Sequence, residues 1–358
     1  MTANFLLSTV MICCMLKVSA LLLNRREIEE MLDLFKLPIC QPKIVEELEI
    51  LKTYRRKAVF VGAGDLLLCF ITLVMQLIAP LAQGIRTRSL PYSIWLPYST
   101  EPILNYILTY IVLTLMAIIG MPMTVASDCT ISGLMMVTCS QLEILQFRLA
   151  RLNTRSDVKE CVQHHNIISK FAGEIGKIFG AAVFVHFLLS MLNICSVIYV
   201  VSKRKKPQLI SVSDQSIILV SNQSRFVAKK FCTTSDMRIH FDYFRFKCLI
   251  FLQAESKSGL IISALFLLCM LIQLLLYCWN GNEVFLRSQA VTHTAMDSTS
   301  WVILPQEMKK AFLLIMARSQ KPMHMKAGGI LDLSLSTYMM ILKTSYSAFN
   351  LLQQVSNK

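Results

Sequence analysis

Four residues near the end of the chain, Ser345, Phe349, Leu352 and Gln353, recur at i, i+4, i+7 and i+8. On an α-helix that spacing places them on one face. A hydroxyl, an aromatic ring, an aliphatic chain and a carboxamide in one stripe do no covalent chemistry. They can line water: polar groups stand in for hydration, and apolar groups narrow a passage and gate it by dewetting. The alternative is that small hydroxyl residues only bind helix to helix. Other chemistry finds little support. His164 and His165 adjoin, as in membrane diiron enzymes, but the six histidines do not cluster and further histidine boxes are missing. The twelve cysteines are scattered and form no CxxC, which predicts neither a metal site nor a disulfide framework. The chain is expected not to be an enzyme and to need no cofactor.

The stripe must sit on a membrane helix. Val59–Ala82, Ile103–Val125, Ile178–Val201 and Leu260–Trp279 are long apolar runs, Ile330–Leu352 is a more polar one, and another begins at the initiator Met. About 20 mainly apolar residues cross a hydrocarbon core. The 358 residues are 54% hydrophobic and 16% charged, with a mean hydropathy of +0.55. The predicted class is an all-α, polytopic helical membrane protein. Runs such as LLLCFITLVMQLIAPLA do not alternate as barrel strands do. The net charge of +14 sits between spans, so it reads as topology and not as a nucleic-acid surface.

The loops after the first, third and fifth spans carry nineteen basic residues, against two (Arg86 and Arg88) after the second. Positive charge stays cytoplasmic, which puts those three loops inside and the C-terminus outside. The loop 202–258 breaks the pattern with eleven basic residues and a Ser-rich texture. Val201-Ser202-Lys203 can be encoded by a splice donor and Ile250–Gln253 by an acceptor. Residues 201–253 therefore read as an insert, either a genuine extracellular domain carrying the sequon at Asn222 or a retained intron. The parity also predicts a first span missing ahead of Met1, which makes seven in all.

The last third carries a specific likeness. Tyr277-Cys278-Trp279-Asn280-Gly281-Asn282 closes the fifth span, and Ser334-Leu335-Ser336-Thr337-Tyr338 and Leu342-Lys343-Thr344-Ser345-Tyr346-Ser347 occupy the last. These blocks resemble the insect odorant receptor family, closely over 254–352 and loosely over 1–200. The likeness fails at 201–253 and at the N-terminus. Its seven helices, with the N-terminus inside, match the charge count. A G-protein-coupled receptor has the opposite orientation, and its DRY and NPxxY signals are absent.

The resemblance implies a tuning subunit of an odorant-gated nonselective cation channel. Such subunits form a heterotetramer with a shared co-receptor in the plasma membrane of olfactory sensory neurons. The implied partners are a volatile odorant and membrane lipid. By the same likeness the last helix (327–358) lines the pore, with Ser345, Phe349, Leu352 and Gln353 as wall, and 305–326 is a cytoplasmic anchor helix. Gly328 and Gly329 mark the joint between them. Residues 1–200 form the ligand-sensing bundle, and 254–304 the penultimate span with its loop. An odorant pocket should be small, apolar and aromatic. Met75, Gln76, Tyr106, Tyr110 and Phe266 are the residues expected to line it. The alternatives are packing against neighbouring helices for the two tyrosines, a gustatory receptor of the same superfamily, or a truncated, mis-spliced receptor without function.

Overall fold

The computed structural model describes residues 2–82, 90, 96–152, 155–204, 258–297 and 306–356. The insert expected at 201–253 thus lies outside the described residues beyond Arg204. The described chain is helical almost throughout: α1 (Thr2–Leu23), α2 (Arg25–Asp33), α3 (Val45–Ala82), α4 (Ile103–Leu149), α5 (Arg155–Arg204), α6 (Ser258–Asp297), α7 (Gln306–Ser319) and α8 (Leu335–Ser356). Among the described residues, four helices are long and apolar enough to cross a membrane: those of α3, α4, α5 and α6. Within α1, Met11–Leu23 is a shorter apolar stretch.

The long helices exceed what a bilayer requires. At 1.5 Å per residue the 47 residues of α4 span about 70 Å, more than twice a hydrocarbon core of roughly 30 Å. One end of the bundle must project from the membrane, and packing shows which. The continuous core runs through Ile131–Leu149 of α4, Val158–Phe187 of α5 and Leu274–Ala295 of α6, and also takes in Phe312, Met325 and Leu333. By contrast, the first half of α4 leaves Ile103, Leu104, Leu108, Leu115, Met116 and Ile119 exposed. Water would penalise that surface, whereas lipid tails are as apolar as the side chains. Sequestered core at one end and bare aliphatic surface at the other define a membrane half and a protruding half. Pro122 lies inside α4 without ending it, as membrane helices permit when neighbours restore the freed carbonyl.

Two boundaries differ from the sequence expectation. The anchor helix stops at Ser319 and not at 326, three residues before Pro322, because a proline ahead disfavours helical backbone. The stretch beyond it is a two-stranded antiparallel hairpin, β1 (Lys326–Ala327) and β2 (Leu331–Asp332), with Lys326 opposite Asp332 and Ala327 opposite Leu331. Gly328 and Gly329 turn it at φ of 59° and 72°, backbone that a Cβ disfavours. The glycine pair is therefore a docked turn. Gly328 N–H donates to the carbonyl of Gly180 on α5 at 2.8 Å, and a Cβ on Gly328 would lie 2.9 Å from the Phe184 ring.

Candidate functional site

Three levels of the bundle, and the last helix beside them, hold side chains that could carry function. The outermost is aromatic. Tyr106 and Tyr110 lie one turn apart on α4, with ring centroids 6.0 Å apart and tilted by 49°. Tyr110 OH donates to the Leu77 carbonyl of α3 at 2.6 Å. Tyr106 is buried, and the hydroxyls of Tyr98 and Thr109 meet at 2.8 Å, folding the preceding loop back onto α4. Met75 and Gln76 are half-buried beside Leu77. Phe266 on α6 is half-buried, one turn above Cys269, whose Sγ meets the Thr72 hydroxyl of α3 at 3.3 Å. The five residues expected around a ligand thus sit on three helices tied to one another at neighbouring depths. Hydrogen bonds fix Tyr110 and its partners; Met75, Gln76 and Phe266 retain partial exposure.

The last helix presents two unlike faces. Ser345 and Phe349 are buried against the rest of the subunit. The Cys195 thiol of α5 donates to the Ser345 carbonyl at 3.0 Å, and Ser345 OH donates to the Met191 carbonyl at 3.5 Å. The first two residues of the expected stripe therefore face α5. The opposite side exposes Ser336, Met340, Lys343, Thr344, Ser347 and Leu351, a face mixing hydroxyls and an ammonium with apolar groups. The helix continues through 352 and 353, but the side chains of Leu352 and Gln353 lie outside the described residues.

Deeper in the bundle is a buried polar cluster. Lys17 Nζ lies 2.6 Å from Asp128 Oδ1, with both side chains shielded from solvent. Tyr277 OH donates to the same oxygen. Lys17 also stands over the Tyr277 ring, 5.5 Å from its centroid, and His186 meets that ring edge-on at 5.7 Å. A lone Lys in an apolar run and a lone Asp in another were the available signals, since charges at such depth face protein.

In the protruding half, Arg148 ties the α2–α3 connection to the core. Its guanidinium donates to both oxygens of Glu47, at 2.7 and 2.8 Å, and to the carbonyls of Ile39 and Gln41, at 2.5 and 2.8 Å. Burial alone would raise the Glu47 carboxyl, but donation by Arg148 and by the Lys43 N–H holds it below its ordinary value. Beside it, His164 Nε2 pairs with Gln141 Oε1 at 2.7 Å. Burial, with the Arg148 charge adding to it, pushes His164 down to about 3.

Comparisons with known proteins agree over nearly the whole chain. The family profile described as "7tm Odorant receptor" matches residues 1–212 and 245–346. Odorant receptor 10 of Aedes albopictus is 22% identical over 322 residues, covering 86% of this chain and 71% of that receptor. Odorant receptor Or2 of Anopheles gambiae is also 22% identical, over 377 residues, covering 96% and 81%. A shorter match, 36% over 85 residues, links 24% of the chain to 21% of odorant receptor 67a of Drosophila melanogaster. Among solved structures, the olfactory receptor OR5 of Machilis hrabei superposes with a TM-score of 0.74 at 17% identity, covering 99% of this chain and 81% of that one. The same receptor has been solved in complex with eugenol. At that identity the likeness establishes the fold.

Proposed function

Because this chain belongs to the insect odorant receptor family, we propose that it is the tuning subunit of an odorant-gated, nonselective cation channel assembled with the shared co-receptor. It acts in the plasma membrane of olfactory sensory neurons, turning odorant binding into a depolarising current. The observation that carries this reading is the family match, which runs from the first residue to the last helix and breaks only at 213–244.

The ligand is a small volatile molecule held at the level of Tyr106 and Tyr110. Two tyrosines, Phe266 and Met75 supply apolar and aromatic surface, and Gln76 supplies a polar handle, as in a small-molecule site. That OR5 of Machilis hrabei has been solved with eugenol supports a compact aromatic or aliphatic ligand class. The pore wall belongs to α8. Within a tetramer its open face, from Ser336 through Lys343 and Ser347 to Leu351, is available to turn toward the central axis. Ser345 and Phe349, held against α5, transmit movement of the bundle to that wall. The protruding half, with α7 and the hairpin, is the anchor through which subunits pack.

The test is heterologous co-expression with the co-receptor and whole-cell recording against an odorant panel. The reading requires a cation current that depends on both subunits and on odorant. A response to tastants without the co-receptor, or odorant-evoked signalling with no conductance of its own, overturns it.

A further inference from the structure

The polar cluster around Lys17 has an unbalanced charge count. Two carboxylic residues, Asp65 of α3 and Asp128 of α4, face one cation. Asp65 is 3% exposed, Asp128 1% and Lys17 1%. Asp65 stands at the depth where α3 and α4 touch: a Cβ on Gly62, one turn before it, would lie 3.2 Å from the Sγ of Cys129, the neighbour of Asp128. Among the described residues, the other titratable groups packed around this spot are Cys13 of α1, Cys69 of α3, Cys129 of α4, His186 of α5, and Cys269 and Tyr277 of α6; the thiols and the phenol carry no positive charge in any protonation state, and His186 lies edge-on to the Tyr277 ring with no hydrogen bond to either acid. The ammonium of Lys17 is committed to Asp128 Oδ1. An ionised Asp65 would leave a net negative charge among apolar helices, and an uncompensated buried charge is strongly destabilising.

The hydrogen bonds point to the same asymmetry. Asp128 Oδ1 receives both Lys17 and Tyr277, as an ionised acceptor does. Asp65 receives only the long, weak contact from the Cys69 thiol at 3.9 Å. One oxygen of each acid, Asp65 Oδ2 and Asp128 Oδ2, is buried with no partner among the described residues, and so are both ring nitrogens of His186. Buried polar atoms of this kind require a partner or an ordered water. A protonated Asp65 brings one O–H donor to a spot rich in unfilled acceptors. It leaves Lys17 and Asp128 as a neutral pair.

We propose that Asp65 and Asp128 form a proton-binding carboxylate pair inside the helical bundle, with the proton resident on Asp65 and Lys17 as the fixed counter-charge of Asp128. The site joins α1, α3, α4 and α6, between the tyrosine level and the core, so its proton is part of how those helices are held together.

The experiment is infrared spectroscopy of the full-length receptor in lipid nanodiscs, with wild type, Asp65→Asn and Asp128→Asn compared. At about pH 8, ordinary carboxyl groups are ionised. The proposal requires a carboxylic-acid C=O band in wild type at that pH, lost in Asp65→Asn. Because Asn copies the neutral acid, Asp65→Asn should keep surface expression within about twofold of wild type. Asp128→Asn strands the Lys17 charge and should lower it by more than about tenfold. The double variant Lys17→Met/Asp128→Asn should recover most of that loss, which separates a charge effect from simple loss of packing. No carboxylic-acid band in wild type overturns the proposal. So does a band that Asp65→Asn leaves untouched, or one that appears only when sodium is replaced by N-methylglucamine, since a sodium ion would then be the counter-charge. None of these readings depends on odorant response, so a silent receptor and a wrong proton assignment give different results.

Discussion

Removing the guanidinium of Arg148 should undock the α2–α3 connection. The Glu47 side chain is 2% exposed and that of Arg148 11%, so the pair lies in the regime where breaking one partner costs about 3–5 kcal/mol. In Arg148→Met the carboxylate of Glu47 keeps only the Lys43 N–H at 2.7 Å, and the carbonyls of Ile39 and Gln41 lose their donor. A penalty near 4 kcal/mol is roughly three orders of magnitude in the docking equilibrium. Arg148→Lys keeps the charge but cannot fork across both oxygens and two carbonyls, so it should fall between wild type and Met. Glu47→Gln combined with Arg148→Met removes the stranded charge and should recover part of the loss. The assay is the apparent melting temperature of the detergent-solubilised receptor by fluorescence-detected size exclusion, with surface biotinylation in parallel. A wild-type melting temperature for Arg148→Met, or a double variant no better than the single, would refute the reasoning.

Further outcomes follow from other contacts. Tyr110→Phe removes the bond to the Leu77 carbonyl, a loss of about 0.5–1.5 kcal/mol, and should shift the odorant concentration for half-maximal current while surface density stays unchanged. Gly328→Ala meets both a positive φ and the Phe184 ring, whereas Gly329→Ala meets only its φ, since nothing lies within 4 Å of its Cβ position; surface expression should fall further for Gly328. His164 is held at about 3 against an ordinary 6.5. The unfolded chain thus binds the extra proton first, and stability present above pH 6.5 is lost as pH falls from there toward 3. Melting temperature against pH should show this decline, and His164→Asn should flatten it.

Much of the architecture was legible because a bilayer imposes a coarse rule. Runs such as Leu260–Trp279 announce themselves by length, and basic loops announce their side. Helix ends were less legible: the stop at Ser319 depends on Pro322, and the hairpin at Gly328 is held by Gly180 and Phe184, roughly 150 residues away in sequence. The stripe on α8 shows the limit of periodicity. A 3.6-residue repeat says that Ser345 and Phe349 share a face, but not that α5 covers it, because Met191 and Cys195 carry no mark of their target. Lys17 of α1 and Asp128 of α4 are each a charge within a long apolar helix, a signal that names no partner. Their pairing spans 111 positions and became apparent only when α1 and α4 were seen together. Tyr106 and Tyr110 fared better, because one turn of a single helix is a local relation.

The most direct test of the account is the odorant-evoked current of the subunit with its co-receptor, recorded while a charged thiol reagent is applied to Ser347→Cys and Ser345→Cys in turn. A pore wall on the open face of α8 predicts that the reagent reduces the current of Ser347→Cys and spares Ser345→Cys, which lies against α5. Equal insensitivity at both positions, with current intact, would contradict it.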